Sequence, residues 1–249
     1  MTSDHSIQIV PGKPHYAGEL ERLYRHVYGD EDDPNAADVF TAAMFRRHLE
    51  VFPEGQFVAL DTALPEGEQV IGLASSMRLA FDLAHPHLES WYKTTGDGWL
   101  TTHDPNGEWL YGVESCVHAD YRGQGVGGKL IDARFDLARR LNLRGMVAGS
   151  APMGYHRYAD TLTIEEYMQG VVEGRYFDIN TSKQLRKGFR YTGVLIPNYI
   201  VDQEARGWGA LIVWDNPSYS VARIPEMDAM LPPVYSVTVR PHHVVGRGF

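Results

Sequence analysis

Hydrophobic and polar positions alternate with two different periods along this chain. A short apolar run, Ile7 to Val10, closes at Pro11-Gly12 and predicts an edge strand. Leu20, Leu23, Tyr24 and Val27 recur at helical spacing between Tyr16 and Tyr28. "GDEDDPN" breaks that pattern, and a second helix is predicted over 36–51 from Val39, Phe40, Ala43, Met44 and Leu49. Residues 56–60 and 70–78 read as a strand pair across the turn-rich "DTALPEGEQ". Residues 79–107 resolve into no regular element. A loop of that length inside a domain is usually functional or mobile.

The clearest strand is "WLYGVESCVHA", Trp109 to Ala119, and a glycine-rich turn follows it directly. A long helix is predicted over 127–142, with Leu130, Ala133, Leu137 and Leu141 on one stripe and Ile131, Phe135 and Ala138 beside it. A short buried strand follows at 144–150. "TIEE" then forms a capping box, Thr163 with Glu166, opening a helix that Gly174 ends. A short helix over 181–187 and two final strands, 189–200 and 209–214, complete the pattern. The layout is mixed α/β, a mostly antiparallel sheet of about seven strands flanked by helices. It predicts one domain over 1–216 and a Pro-rich tail or arm over 217–249.

Composition narrows the function classes. The chain of 249 residues carries a formal charge of −9 and a sequence pI near 5.6. That balance disfavours nucleic acid or an anionic membrane as main partner. Cys116 is the one cysteine, so no intrachain disulfide can form and a reducing cytoplasm is the expected compartment. No run approaches the ~20 apolar residues of a membrane span. His85-x-His87 and His242-His243 lack further ligands at metal spacing, so no metal is expected.

Candidate chemistry centres on "YRGQGVGGKL", Tyr121 to Leu130. Strand, glycines and helix together suit phosphate, because glycine lets the backbone approach and the helix start offers free N–H groups. A nucleotide P-loop needs Ser or Thr after its lysine, but Leu130 follows Lys129. A dinucleotide site needs an acid ~20 residues on, and residues 147–150 contain none. The remaining pattern, V-x-A-x-x-R-G-x-G-V-G from Val117 to Gly127, resembles the central motif of the GNAT N-acyltransferase superfamily. "QLRKGFRYTG", Gln184 to Gly193, is similar to that superfamily's ending. "GDGWLTTHDPNGEWLYGVESCVHADYRGQGVG", "PMGYHRYAD" and "GALIVWDN" resemble the GNAT-type domain that precedes a nitrilase-like amidase in some bacterial fusion proteins. Within these residues the resemblance implies the acyltransferase unit alone.

The resemblance implies acetyl-CoA, or another acyl-CoA, as co-substrate and a small primary amine as acceptor. Backbone N–H groups of Gly123, Gln124, Gly125, Val126 and Gly127 would cradle the pyrophosphate, and Arg122 would add charge or form a structural salt bridge. The main chain of Cys116 and Val117 would pair with the pantetheine arm and face the thioester oxygen. Strand alternation puts Glu114 on the face of Cys116 and Gly112, opposite Val117. A carboxylate there suits a general base for an amine of pKa about 10. Cys116 reads as a small buried hydrophobe rather than a nucleophile. The superfamily's usual acid is a tyrosine where this chain has Gln184, so Tyr155 or Tyr158 stands as substitute. Trp91, Trp99, His103 and Asp104 are acceptor-site candidates, with 155–176 as a lid. A non-catalytic acyl-CoA-binding module, as sensor or amidase partner, is the alternative function. A homodimer stays open.

Overall fold

The computed structural model of the protein describes residues 7–29 and 40–221. Seven strands form one sheet: β1 (Ile7–Pro11), β2 (Gln56–Asp61), β3 (Val70–Leu79), β4 (Trp109–Val117), β5 (Gly145–Ser150), β6 (Arg190–Ile196) and β7 (Gly209–Asp215). Their order is β1-β2-β3-β4-β5-β7-β6. Every neighbouring pair is antiparallel except β4 and β5, which run parallel. The expected mixed, mostly antiparallel sheet is the observed one.

Helices cover both faces. On one face, α1 (Ala17–Tyr28) and α2 (Ala42–Val51) pack with Tyr111, Val113 and Cys116 of β4. Ala17, Leu20, Leu23 and Tyr24 form the buried stripe of α1. The α2 helix starts later than expected. Thr41 caps it by accepting from the Met44 N–H, and the predicted start at Ala36 lies outside the described residues. On the other face, α4 (Val126–Arg140) lies on Leu110, Met146 and Ala148. Leu130 and Leu137 are fully buried there, each contributing about 1.5–3 kcal/mol. Leu141, expected on that stripe, is exposed past the helix end. The capping box of α5 (Ile164–Val172) forms as predicted, and α6 (Thr181–Arg186) follows it.

The 79–107 segment is pinned, with a short helix, α3 (Trp91–Thr95), inside it. The Nε2–H of buried His48 donates to Gly98 O at 2.7 Å. Burial lowers the His48 pKa to about 4, so its ring is neutral. Trp91 sits in the core, and its indole N–H donates to Val113 O at 2.9 Å. The predicted tail from 217 lies, from residue 222 onward, outside the described residues. Among the described residues no helix is long and apolar enough to cross a membrane.

Candidate active site at the parting of β4 and β5

Strands β4 and β5 pair over three positions only, Trp109 with Gly145, Leu110 with Met146 and Tyr111 with Val147. Beyond Tyr111 the strands part, and among the described residues the β5-facing edge of β4 has no strand partner there. The gap opens into a cleft of about 870 Å³. Gly112, Val113, Glu114 and Ser115 line it from β4, Ala148 and Gly149 from β5. Tyr199 lies over Gly149, where any Cβ would overlap its ring, and its hydroxyl meets that of Tyr111 at 2.8 Å.

A bulge sets the direction of Glu114. Ser75 faces Glu114 across the ladder, but Ser76 faces Gly112, which leaves Val113 as the extra residue. An inserted residue reverses strand alternation. Glu114 therefore shares the α1 face with Cys116, as expected, while Gly112 turns to the α4 face, contrary to expectation. The carbonyl of the bulged Val113 is the one that Trp91 holds.

Three donors meet the Glu114 carboxylate. Tyr24 and Tyr28, one turn apart on α1, donate their hydroxyls to Oε2 and Oε1, each at 3.0 Å. The Ser115 N–H donates to Oε1 at 2.8 Å. Burial nevertheless raises the Glu114 pKa above the ordinary carboxylate value; the three hydrogen bonds and the charge of Arg134 oppose the shift. Aromatic walls stand nearby, with Phe40 stacked on Tyr24 at 4.8 Å. Trp91 and Tyr92 continue them, and Asp97 and Asp202 complete that side.

Arg134 also reaches the cleft, from α4. It occupies the i+4 position from Leu130 on the helix's buried stripe and is 5% exposed. Its guanidinium lies against Gly112, where a Cβ would come within 3.2 Å of Nη1. Its Nε is wholly enclosed and has no hydrogen-bond acceptor among the described residues. Burial lowers its pKa to about 10, opposed by Glu114, so it stays charged at neutral pH. Sequence reasoning missed this residue. Its signal is a single charge inside an apolar i,i+4 series, Val126, Leu130, Arg134 and Ala138.

The glycine turn sits at the start of α4. Gly123 and Gly125 have φ of 79° and 81°, in the left-handed region that favours glycine, and Gly125 caps the helix. Gly127 has ordinary helical backbone and room for a Cβ. Nothing in the fold requires glycine there, whereas a ligand approaching the main chain would. Arg122, Gly123, Gln124 and Gly125 are exposed, and Val126 is buried as the first anchor of α4. Gln124 donates to Asp120 O at 2.9 Å, and Tyr121 ties the turn to buried Asp61 at 2.7 Å. Among the described residues Arg122 forms no ion pair; its Nε–H points to Val117 O at 3.4 Å. Cys116 and Val117 continue the open edge of β4 toward this turn. The Cys116 side chain is buried against α1, and its thiol is pushed well up by that burial, which leaves no nucleophile.

Other expected site residues lie elsewhere. Tyr155 and Tyr158 do not line the cleft. The Tyr155 hydroxyl donates to Leu162 O at 3.2 Å, and Tyr158 packs between Tyr167 and Tyr176 in a separate aromatic cluster. Their closeness in sequence to the end of β5 does not carry their hydroxyls into the gap. The 155–176 segment is a packed layer through that cluster. His103 accepts from Arg78 N–H at 3.0 Å and stacks on Phe52, and Asp104 closes a turn with Asn106. Trp99 is 41% exposed and outside the cleft lining, so of the four acceptor-site candidates only Trp91 lines it. Gln184 lines the cleft from α6, and its Oε1 is buried with no donor among the described residues.

The chain is similar to known proteins. Residues 19–152 match the Acetyltransferase (GNAT) family. A probable hydrolase of Bacillus subtilis (strain 168), YhcX, is 40% identical over 173 residues, which cover 69% of this chain and 32% of YhcX. The chain thus spans about a third of that relative's length. An uncharacterized N-acetyltransferase of the same organism, YkwB, is 30% identical over 70% of this chain and 74% of its own length. Among solved structures, the GphF GNAT-like decarboxylase in complex with isobutyryl-CoA superposes with a TM-score of 0.65 at 22% identity, covering 84% of this chain and 99% of that one. The chain belongs to the acetyltransferase (GNAT) family.

Proposed function

We propose that the protein is an acyl-CoA-dependent N-acyltransferase acting on a primary amine of a small molecule. The observation that carries this reading is the cleft where β4 and β5 part, with Glu114 on one wall and the glycine turn at the head of α4 beyond its rim. The open β4 edge offers main-chain groups to an extended arm. The free N–H groups and exposed glycines at the start of α4 suit a pyrophosphate. The buried, donorless Oε1 of Gln184 suits an amide N–H of the same arm. GphF, which shares this fold, is in complex with isobutyryl-CoA, and that agrees with this reading.

The chemistry needs a deprotonated amine. Glu114 takes a proton from the acceptor's ammonium, directly or through one water, and frees the lone pair for the thioester carbon. N–H groups of the β4 edge hold the oxygen as charge develops on it. The C–S bond then breaks as the nitrogen, now bonded to the acyl carbon, gives its second proton to solvent. The thiolate leaves with a pKa of about 8.5, low enough for solvent to supply its proton without Tyr155 or Tyr158. The tyrosine and tryptophan walls with Asp97 and Asp202 suit an acceptor that arrives as a cation. Kinship with a GNAT-type domain that precedes an amidase is part of the same proposal; its support is the 40% identity to a third of YhcX, a probable hydrolase.

Titration calorimetry with acetyl-CoA, against ATP and NAD, tests the reading first. Micromolar binding of acetyl-CoA alone, about −8 kcal/mol, followed by thiol release with an amine panel, is the expected result. Binding without thiol release would instead leave a non-catalytic acyl-CoA module. Binding of ATP or NAD in its place would reject the reading.

A further inference from the structure

Arg134 is a buried cation whose Nε has no hydrogen-bond partner among the described residues. Its guanidinium stands where β4 and β5 part, beside Gly112 and Met146. Its enclosed Nε–H finds no acceptor among the described residues. Glu114 does not fill that role. The bulge at Val113 sends Glu114 to the α1 face of β4, where Tyr24, Tyr28 and the Ser115 N–H already donate to its oxygens and one acceptor position stays open. The two side chains feel each other through space without forming an ion pair. Met146 and Ala148, which meet the same point beside Gly112 as the guanidinium, are apolar. A charge in such surroundings is costly unless something hydrogen-bonds and neutralises it.

We propose that Arg134 is a specificity residue that receives a carboxylate on the acyl group, so the preferred donor is the CoA thioester of a dicarboxylic acid rather than acetyl-CoA. This rests on the acyl-CoA reading above and adds to it the charge of the acyl group. The planar guanidinium fork matches a carboxylate in two parallel hydrogen bonds. A thioester or amide carbonyl could accept its hydrogen bonds but would leave the net charge uncompensated. Arg134 and Glu114 thereby serve opposite substrates from opposite faces of one strand. The anionic acyl end goes to the α4 face, and the cationic acceptor goes to the α1 face.

The test compares pairs of thioesters of matched length by calorimetry on the whole chain: succinyl-CoA with valeryl-CoA, and malonyl-CoA with butyryl-CoA, with free CoA as reference. Expected is a preference of ~10-fold or more for at least one dicarboxylic thioester over its neutral counterpart. Arg134→Met should erase that preference while leaving the affinity for free CoA within ~2-fold. Arg134→Gln serves as the second variant, retaining polarity without charge. Neutral thioesters binding as tightly as both dicarboxylic ones would overturn the proposal and leave the acyl-CoA reading intact. An undiminished preference in both variants would also overturn it. Failure of free CoA and of every thioester to bind would instead overturn the acyl-CoA reading, and this proposal with it.

Discussion

The two walls of the cleft hold opposite charges in opposite conditions. On the α1 side, Glu114 has three donors from the protein itself. On the α4 side, the enclosed Nε–H of Arg134 has no acceptor among the described residues. One strand separates them, and a single inserted residue, Val113, decides which wall each residue near it faces. The satisfied group is preorganised: its oxygens are already aimed and need no rearrangement to take a proton. The unsatisfied group is a cost the fold carries until something binds. A working site thus combines a finished part, which does chemistry, with an unfinished part, which selects what enters.

The sharpest break in this comparison is Glu114→Gln. With the three donors left in place but no base, kcat should fall ~100-fold or more, while calorimetry shows acyl-CoA affinity little changed. A wild-type kcat in this variant would remove Glu114 from the chemistry. Next is the pH profile. Glu114 must be ionised to act, and its pKa lies above the usual carboxylate value. Activity should therefore fall as pH drops through that raised value. Tyr24→Phe with Tyr28→Phe removes donors that favour the charged form, so the acid limb of kcat/KM should move to higher pH. A limb that stays in place would show that these hydroxyls do not tune the base.

The α4 wall predicts an opposite kind of effect. Arg134→Met exchanges an uncompensated buried charge for an apolar side chain of similar length. Urea unfolding should show the free protein stabilised by about 1–3 kcal/mol. The sign follows from its lowered pKa of about 10: below that value folding holds a charge it disfavours, and the cost eases only as pH rises through about 10. A destabilised variant would mean that the guanidinium already has its partner. The smallest effect expected is that of Tyr155→Phe, with kcat within ~2-fold of wild type. A large loss in kcat would restore Tyr155 as the acid.

Much of this was legible in the residues. The run "WLYGVESCVHA", its glycine turn and the apolar stripe after it place β4, the turn and α4, and Glu114 stands out as a carboxylate in a buried strand. The rest depends on contacts between distant segments. Strand alternation has a strict period of two, so it assigns Gly112 to the face of Glu114. The bulge that reverses this is fixed by the pairing with β3 and by Trp91, 22 residues before Val113. Tyr24 and Tyr28 read as an apolar helix face, because their hydroxyls find Glu114 only across the sheet. Arg134 lies inside an apolar stripe where periodicity assigns the backbone but not the exception. Tyr155 and Tyr158 looked suitable from their place after β5, yet local order does not say which way a turn sends its hydroxyls.

The parting of β4 and β5 has a further consequence for how such a protein can diversify. Past Tyr111, the open edge of β4 presents main-chain N–H and C=O groups, which every residue type except proline supplies alike. Recognition along that edge is therefore indifferent to most substitutions within it. Side chains from α1, α3 and α4 face the same cleft and are free to vary, so partner choice can drift on either wall while the backbone rail between them stays the same.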